Sequence, residues 1–333
     1  MASVYVTEYG AVLGKRYGRL TVSVRRQELL SMPFEQVDGI YILGSAMLTS
    51  QAYVECLTRG ICVTFLSKGG HYFGRLISTN HVNTARQRMQ CELYHAPFAL
   101  ILSKAIVSAK IHNQSAMLYR IAKSAPEGTD IESFRTALRQ MEDKAAFAKD
   151  LDELLGCEGY AAKMYFQGVS ACMPDPFRFN GRSRRPPLDP FNSMLSFGYT
   201  LLMYDVYAML ENSGMNPYFG FYHQDGERHP TLASDLMEEW RAPLVDSLVI
   251  SLIRKHEVQP FMFEQEQDGG TYMNKDGLSV FISRFQRKLE DDAGYLYGGQ
   301  DIKYRDAVAQ QVSSLVQAVE ARDASLYRPV RIR

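Results

Sequence analysis

The sequence predicts an α+β protein: a small N-terminal, mostly antiparallel β domain with one embedded helix, followed by a larger all-α domain. Two observations carry this. Leu20, Val22 and Val24 alternate with polar neighbours, as a half-buried strand does, whereas from about Thr84 the apolar spacing becomes helical among many Ala, Leu, Met and Gln residues. Gly10, Gly14, Gly18, Gly39, Gly44 and the Gly69-Gly70 pair punctuate the first stretch in the manner of turns.

In chain order, Ile40–Leu43 and Ile61–Leu66 read as further strands, and about Ser50–Leu57 as the embedded helix. The expected boundaries are 1–80 for the β domain, 81–84 for a linker and 85–333 for the helical domain. Pro97 is expected to break the first long helix, because it lacks an N–H and clashes with the preceding turn. "PDPFRFNGRSRRPPLDP" (174–190) reads as a long loop between helical blocks, and "ASLYRPVRIR" at the end, with Arg328, Arg331 and Arg333, as a flexible tail.

Composition excludes several classes. Of 333 residues, 46% are hydrophobic and 22% charged, so the chain is neither disordered nor fibrous. No apolar run is long enough for a membrane span, and "MASVYVTEYG" lacks the build of a signal peptide, so a cytoplasmic location is expected. Five cysteines without a C-x-x-C pair point to reduced, packed thiols. The 37 basic and 37 acidic residues balance, so any polyanion must be held by local clusters.

One carboxylate is out of place. On a helical wheel centred on Glu158, the residues Leu151, Leu154, Leu155, Ala161, Ala162, Tyr165 and Val169 fall within roughly 60° of it. A charge inside an apolar stripe needs a cation, which an ion pair or a bound metal would supply equally well. In "HPTLASDLMEEWR", Asp235 and Glu238 share a face, Glu239 borders the apolar stripe, and His223 and His229 lie upstream. That face is either a solvated acidic surface or part of a ligand set. Together these side chains would suit an oxygen-preferring divalent ion, the imidazole favouring Mn²⁺ over Mg²⁺. Tyr165 and Tyr199 fit the core by their spacing better than they fit base stacking.

"GCEGYAAKMYF", "RRPPLDPFNSMLSFGYTLL" and "TLASDLMEEWRAPLVD", in that order behind a small β domain, resemble the CRISPR-associated integrase family, the Cas-one subunit of spacer acquisition. "AKIHNQ" and "RGICVTFLSKGG" fit the same family. The resemblance implies that Glu158, His223 and Glu238 bind Mg²⁺ or Mn²⁺, with Asp235 as an assisting carboxylate and His223 preferred to His229 by its distance from "DLMEEWR". It implies a transesterification in which a DNA 3′-hydroxyl attacks a phosphodiester at the boundary of a CRISPR repeat. It also implies a homodimer through the β domain, bridged in a heterohexamer by the small second Cas subunit, Cas-two. Double-stranded DNA would be held by Arg182, Arg184 and Arg185 in the proline-rich loop, by Arg86, Arg88, Lys104 and Lys110 along helices, and by Arg254 and Lys255. Two alternatives stand beside this reading: a structure-specific, metal-dependent DNA nuclease that does not join ends, and a non-catalytic helical DNA-binding scaffold.

Overall fold

A computed structural model describes residues 2–123, 125–294, 296 and 302–333. The chain divides into two compact units, one ending at Val82 and the other beginning at Asn83.

The first unit holds two four-stranded sheets. One runs β1 (Ala2–Val6), β5 (Val37–Leu43), β7 (Cys62–Leu66), β8 (Tyr72–Leu76); the other runs β4 (Gln27–Pro33), β3 (Arg19–Val24), β2 (Ala11–Arg16), β6 (Ala46–Leu48). Leu20 and Val22 point into a core shared with Val4, Leu13, Ile40, Val63 and Cys56, so the period-two pattern marks the buried face. The mostly antiparallel expectation needs correction. β1–β5, β5–β7 and β2–β6 are parallel, as many pairs as the antiparallel β2–β3, β3–β4 and β7–β8. Alternation records which face is buried and is silent about strand direction. Here the helix α1 (Ser50–Arg59) lies between β5 and β7, a crossover that makes parallel pairing possible. Gly14 and Gly39 lie within β2 and β5 rather than in turns.

The second unit is built around α3 (Pro97–Ala122), which Pro97 opens after α2 (Thr84–Tyr94) has ended. Buried residues surround α3 on nearly every side, as expected of a helix enclosed by others. It packs against α4 (Ile131–Phe147), α5 (Leu151–Ala171) and α7 (Thr231–Trp240). Asp150 caps α5, and Asp189 caps α6 (Pro190–Asn212), each accepting a backbone N–H at 2.8 Å. The unit continues through α8 (Ser247–Arg254), α9 (Lys275–Glu290) and α10 (Tyr304–Ala321). It is not all-α: β9 (Phe263–Gln265) and β10 (Thr271–Met273) form a short antiparallel hairpin, too brief to register as a strand period. No described helix is long and apolar enough to cross a membrane. Cys91 is exposed, the other four cysteines are buried, and no disulfide joins them among the described residues.

Between α7 and α8 the helix widens into a π-turn, Arg241–Asp246. Pro243 supplies the cause, since it has no N–H for the carbonyl of Glu239 four residues before it. Asn113 on α3 fills that vacancy: its Nδ2 donates to Glu239 O at 2.8 Å and to Val330 O at 2.9 Å. Its Oδ1 accepts the N–H of Ile332 at 2.9 Å. The C-terminal segment is therefore a packed strap and not the flexible tail expected. Tyr327 and Ile332 are buried, and Arg331 pairs with Glu142 at 3.0 Å. Asn113→Ala is expected to cost about 2–4 kcal/mol in urea unfolding, because it strands three buried backbone groups at once.

Candidate active site

Side chains from α3, α5, α7, the π-turn and the loop before α7 meet at one place. Lys110 of α3 is only 6% exposed at its side chain, and its ammonium contacts Glu158 Oε1 of α5 and lies 2.6 Å from Glu238 Oε2 of α7. Glu158, expected in the middle of a buried stripe, keeps a side-chain exposure of 20%. It looks across at α3 while Leu154, Ala161, Tyr165 and Val169 enter the core. Its cation is thus a lysine. Glu238, at 2% exposure, also receives Arg241 at 2.9 Å, and His223 Nε2 lies 3.8 Å from its Oε1. Burial alone would push the Glu238 carboxyl up, but Arg241, Lys110 and His223 together hold it down to about 2.

Asp235 is fully buried and accepts from four donors. Its Oδ2 takes the N–H groups of Phe221 and Tyr222 at 2.7 and 3.0 Å. Its Oδ1 takes the N–H of His223 at 2.9 Å and the ring Nδ1–H at 2.7 Å. A carboxylate can only accept, so Nδ1 carries the proton and Nε2 is turned toward Glu238. Burial opposes a charge on His223, but Asp235 and Glu238 outweigh it and raise the imidazole above its ordinary value. The loop reaches Asp235 because position 220 is glycine: a Cβ there would sit 2.9 Å from Asp235 Oδ2 and 2.8 Å from Thr231 Cβ. His229 instead meets Ser234 Oγ at 2.9 Å, so the imidazole beside the carboxylates is that of His223.

Glu239, the third carboxylate, faces the other way. It accepts from Tyr327 Oη at 2.6 Å and from the N–H of Val330 at 2.5 Å, fastening the strap. Burial pushes it up to about 8 against those donors. Its folded value lies above the roughly 4.3 of an unfolded glutamate. The stabilisation tied to its protonated form is therefore full below that value and is lost as pH rises through about 8. Melting temperature is expected to fall over this range in the wild type and to fall less in Glu239→Gln, as a pH series of thermal unfolding curves would show.

Behind Glu238, Arg241 lies 4.8 Å from the centre of the Tyr199 ring. Tyr199 and Tyr165 donate to Asp246 at 2.5 and 2.8 Å, so both tyrosines belong to the core. Burial raises Asp246 to about 6.

The expected DNA contacts divide. Arg184, Arg185, Arg88 and Lys255 are exposed. Arg182 is pinned by Asn192 Oδ1 at 2.8 Å and Ser196 Oγ at 3.0 Å, which fastens its loop to α6. Arg86 is tied to Glu320 at 3.1 Å, and Arg254 to Ile121 O at 3.1 Å. Lys104 is half-buried, and Lys110 is enclosed between the carboxylates and lines no open helical face. Sequence reasoning missed Arg241, Tyr222, Asn113 and Asp246. Lys110 had left a readable signal, a cation midway along a helix that is largely apolar around it.

The donor set fits a hard divalent ion. Two carboxylates on separate helices already share one cation position, and an imidazole with its far nitrogen fixed by a carboxylate points beside them, an arrangement common around metal-binding histidines. Among the described residues no three such side chains enclose a ready-made metal position, and Lys110 and Arg241 pair with the carboxylates.

The family model described as CRISPR associated protein Cas1 matches residues 4–287. A CRISPR-associated endonuclease Cas1 of Mycobacterium tuberculosis is 37% identical over 328 residues, covering 96% of this chain and 95% of that one. Among solved structures, a chain of a Cas6-RT-Cas1–Cas2 complex superposes with a TM-score of 0.85 at 24% identity, covering 98% of this chain and 36% of that one. A casposase bound to integration product superposes with a TM-score of 0.82 at 22% identity, covering 100% and 96%. At these identities the two structures establish the fold.

Proposed function

The chain belongs to the Cas1 family of CRISPR-associated proteins, and from that premise we propose that it is a metal-dependent DNA integrase with endonuclease activity, inserting new spacer DNA into a CRISPR array. The observation that carries this reading is the shared cation position of Glu158 and Glu238 with His223 Nε2 beside it. Glu158, His223 and Glu238 would hold Mg²⁺ or Mn²⁺. The ion would supply charge neutralisation at the scissile phosphate and at the departing 3′-oxygen.

The chain's own groups do the rest. Asp235 keeps the proton on Nδ1 of His223 and leaves Nε2 as a donor of electrons. Arg241, with a side-chain exposure of 21%, carries a guanidinium suited to a phosphate oxygen. Exposed Arg184 and Arg185 would follow the DNA backbone, with Arg88 and Lys255 as further contacts. No protein nucleophile is required, since the attacking group is the 3′-hydroxyl of the incoming DNA.

Assembly as a homodimer, joined by Cas-two into a heterohexamer, belongs to the same proposal. The similar Cas6-RT-Cas1–Cas2 complex has Cas2 as a component. In the first unit Tyr17, Phe73, Met47 and Val54 are 90%, 66%, 59% and 53% exposed, the apolar surface a partner would cover. Labelled DNA with free 3′-hydroxyl ends, supplied with Mn²⁺ and a repeat-containing plasmid, tests the reaction. Joined product supports integration, nicks without joining support the structure-specific nuclease, and binding without either product supports the scaffold.

A further inference from the structure

We propose that Lys110 is a tethered counter-cation which holds the cation position between Glu158 and Glu238 and which a divalent ion must displace. The inference rests on the reading of Glu158, His223 and Glu238 as a metal site. Two carboxylates from different helices would repel one another across this gap, and Glu238, at 2% exposure, has little water to screen it. An ammonium as enclosed as that of Lys110 is equally costly without partners. Lys110 therefore depends on the two carboxylates, and Glu238 is held by Lys110 together with Arg241 while no metal is bound.

The enclosure also offers what an exchange of cations needs. Gln114 lies one helical turn beyond Lys110 on the same face of α3, and its Oε1 is buried without a hydrogen-bond partner among the described residues. A displaced ammonium can turn to that acceptor without leaving the protein. The buried hydroxyl of Tyr222 is likewise without a partner among the described residues. A phenolic hydroxyl can donate a hydrogen bond, so it can serve the carboxylates once the ammonium has moved. Lys110 thus acts as a positioning residue. It keeps α3, α5 and α7 assembled when metal is absent, at the cost of weaker metal binding.

The test is calorimetric titration of the full chain with Mn²⁺ alone, for the wild type, Lys110→Met, Lys110→Arg and Glu158→Gln, with melting temperatures recorded in chelator and in Mn²⁺. The expected order of Mn²⁺ affinity is Lys110→Met above wild type above Lys110→Arg, with the Met variant tighter by about tenfold or more. Lys110→Met is also expected to melt lower in chelator and to gain more from Mn²⁺ than the wild type. Should Lys110→Met fail to fold in chelator, the comparison of Lys110→Arg with the wild type decides. Equal or weaker binding by Lys110→Met, or equal or tighter binding by Lys110→Arg, overturns the proposal while leaving the metal site intact, provided Glu158→Gln abolishes binding. If the wild type binds no Mn²⁺, or binds it as well with Glu158→Gln, the metal site itself is refuted and the exchange with it.

Discussion

Glu158→Gln and Glu238→Gln are each expected to lower Mn²⁺-dependent strand joining by about 10³-fold or more, with folding retained. Glutamine keeps the volume of each side chain and removes only the anionic charge. Lys110 keeps one carboxylate partner in either variant, because it contacts both. The loss should therefore appear in turnover and in metal affinity and be small in far-UV circular dichroism. Gel quantification of joined product across a Mn²⁺ titration checks it. Full joining by either folded variant would remove that glutamate from the reaction.

Asp235→Ala is expected to do more harm to the fold. It removes the acceptor of three backbone N–H groups and of the imidazole Nδ1–H, all gathered at a carboxylate with no exposed surface. Stranding those donors should cost about 3–5 kcal/mol, measurable as a shift in the urea midpoint. Asp235→Asn is the milder companion, since its one carbonyl oxygen still accepts from part of the set. It is expected to fold and to lose about 10- to 100-fold in Mn²⁺ affinity, because the His223 ring is no longer held in one tautomer.

Much of the architecture could be read from the residues, and the misses share a physical cause. The change from period two to helical spacing near Thr84 and the break at Pro97 are local signals, and α2 and α3 begin where they indicate. Strand direction is not local, which is why the parallel pairs of the first unit were invisible. Glu239 shows the same division. Its place at the edge of the apolar stripe could be drawn on a wheel, but the Val330 N–H it accepts lies 91 residues away. Lys110 is the instructive case, because a basic residue on a helix invites a surface reading until the helix is seen to be enclosed on nearly every side. Pro243 could have been recognised as a disturbance within a helical run, whereas its remedy, Asn113, could not. Tyr165 and Tyr199 followed their spacing into the core, with Asp246 as the hidden partner that satisfies both hydroxyls.

Crystals of the protein soaked in saturating Mn²⁺ and measured for anomalous scattering test the central claim most directly. The account requires a manganese peak bonded to Glu158, His223 Nε2 and Glu238, with the Lys110 ammonium moved away from the two carboxylates. A map without that peak, in which Lys110 still bridges Glu158 and Glu238, would contradict it.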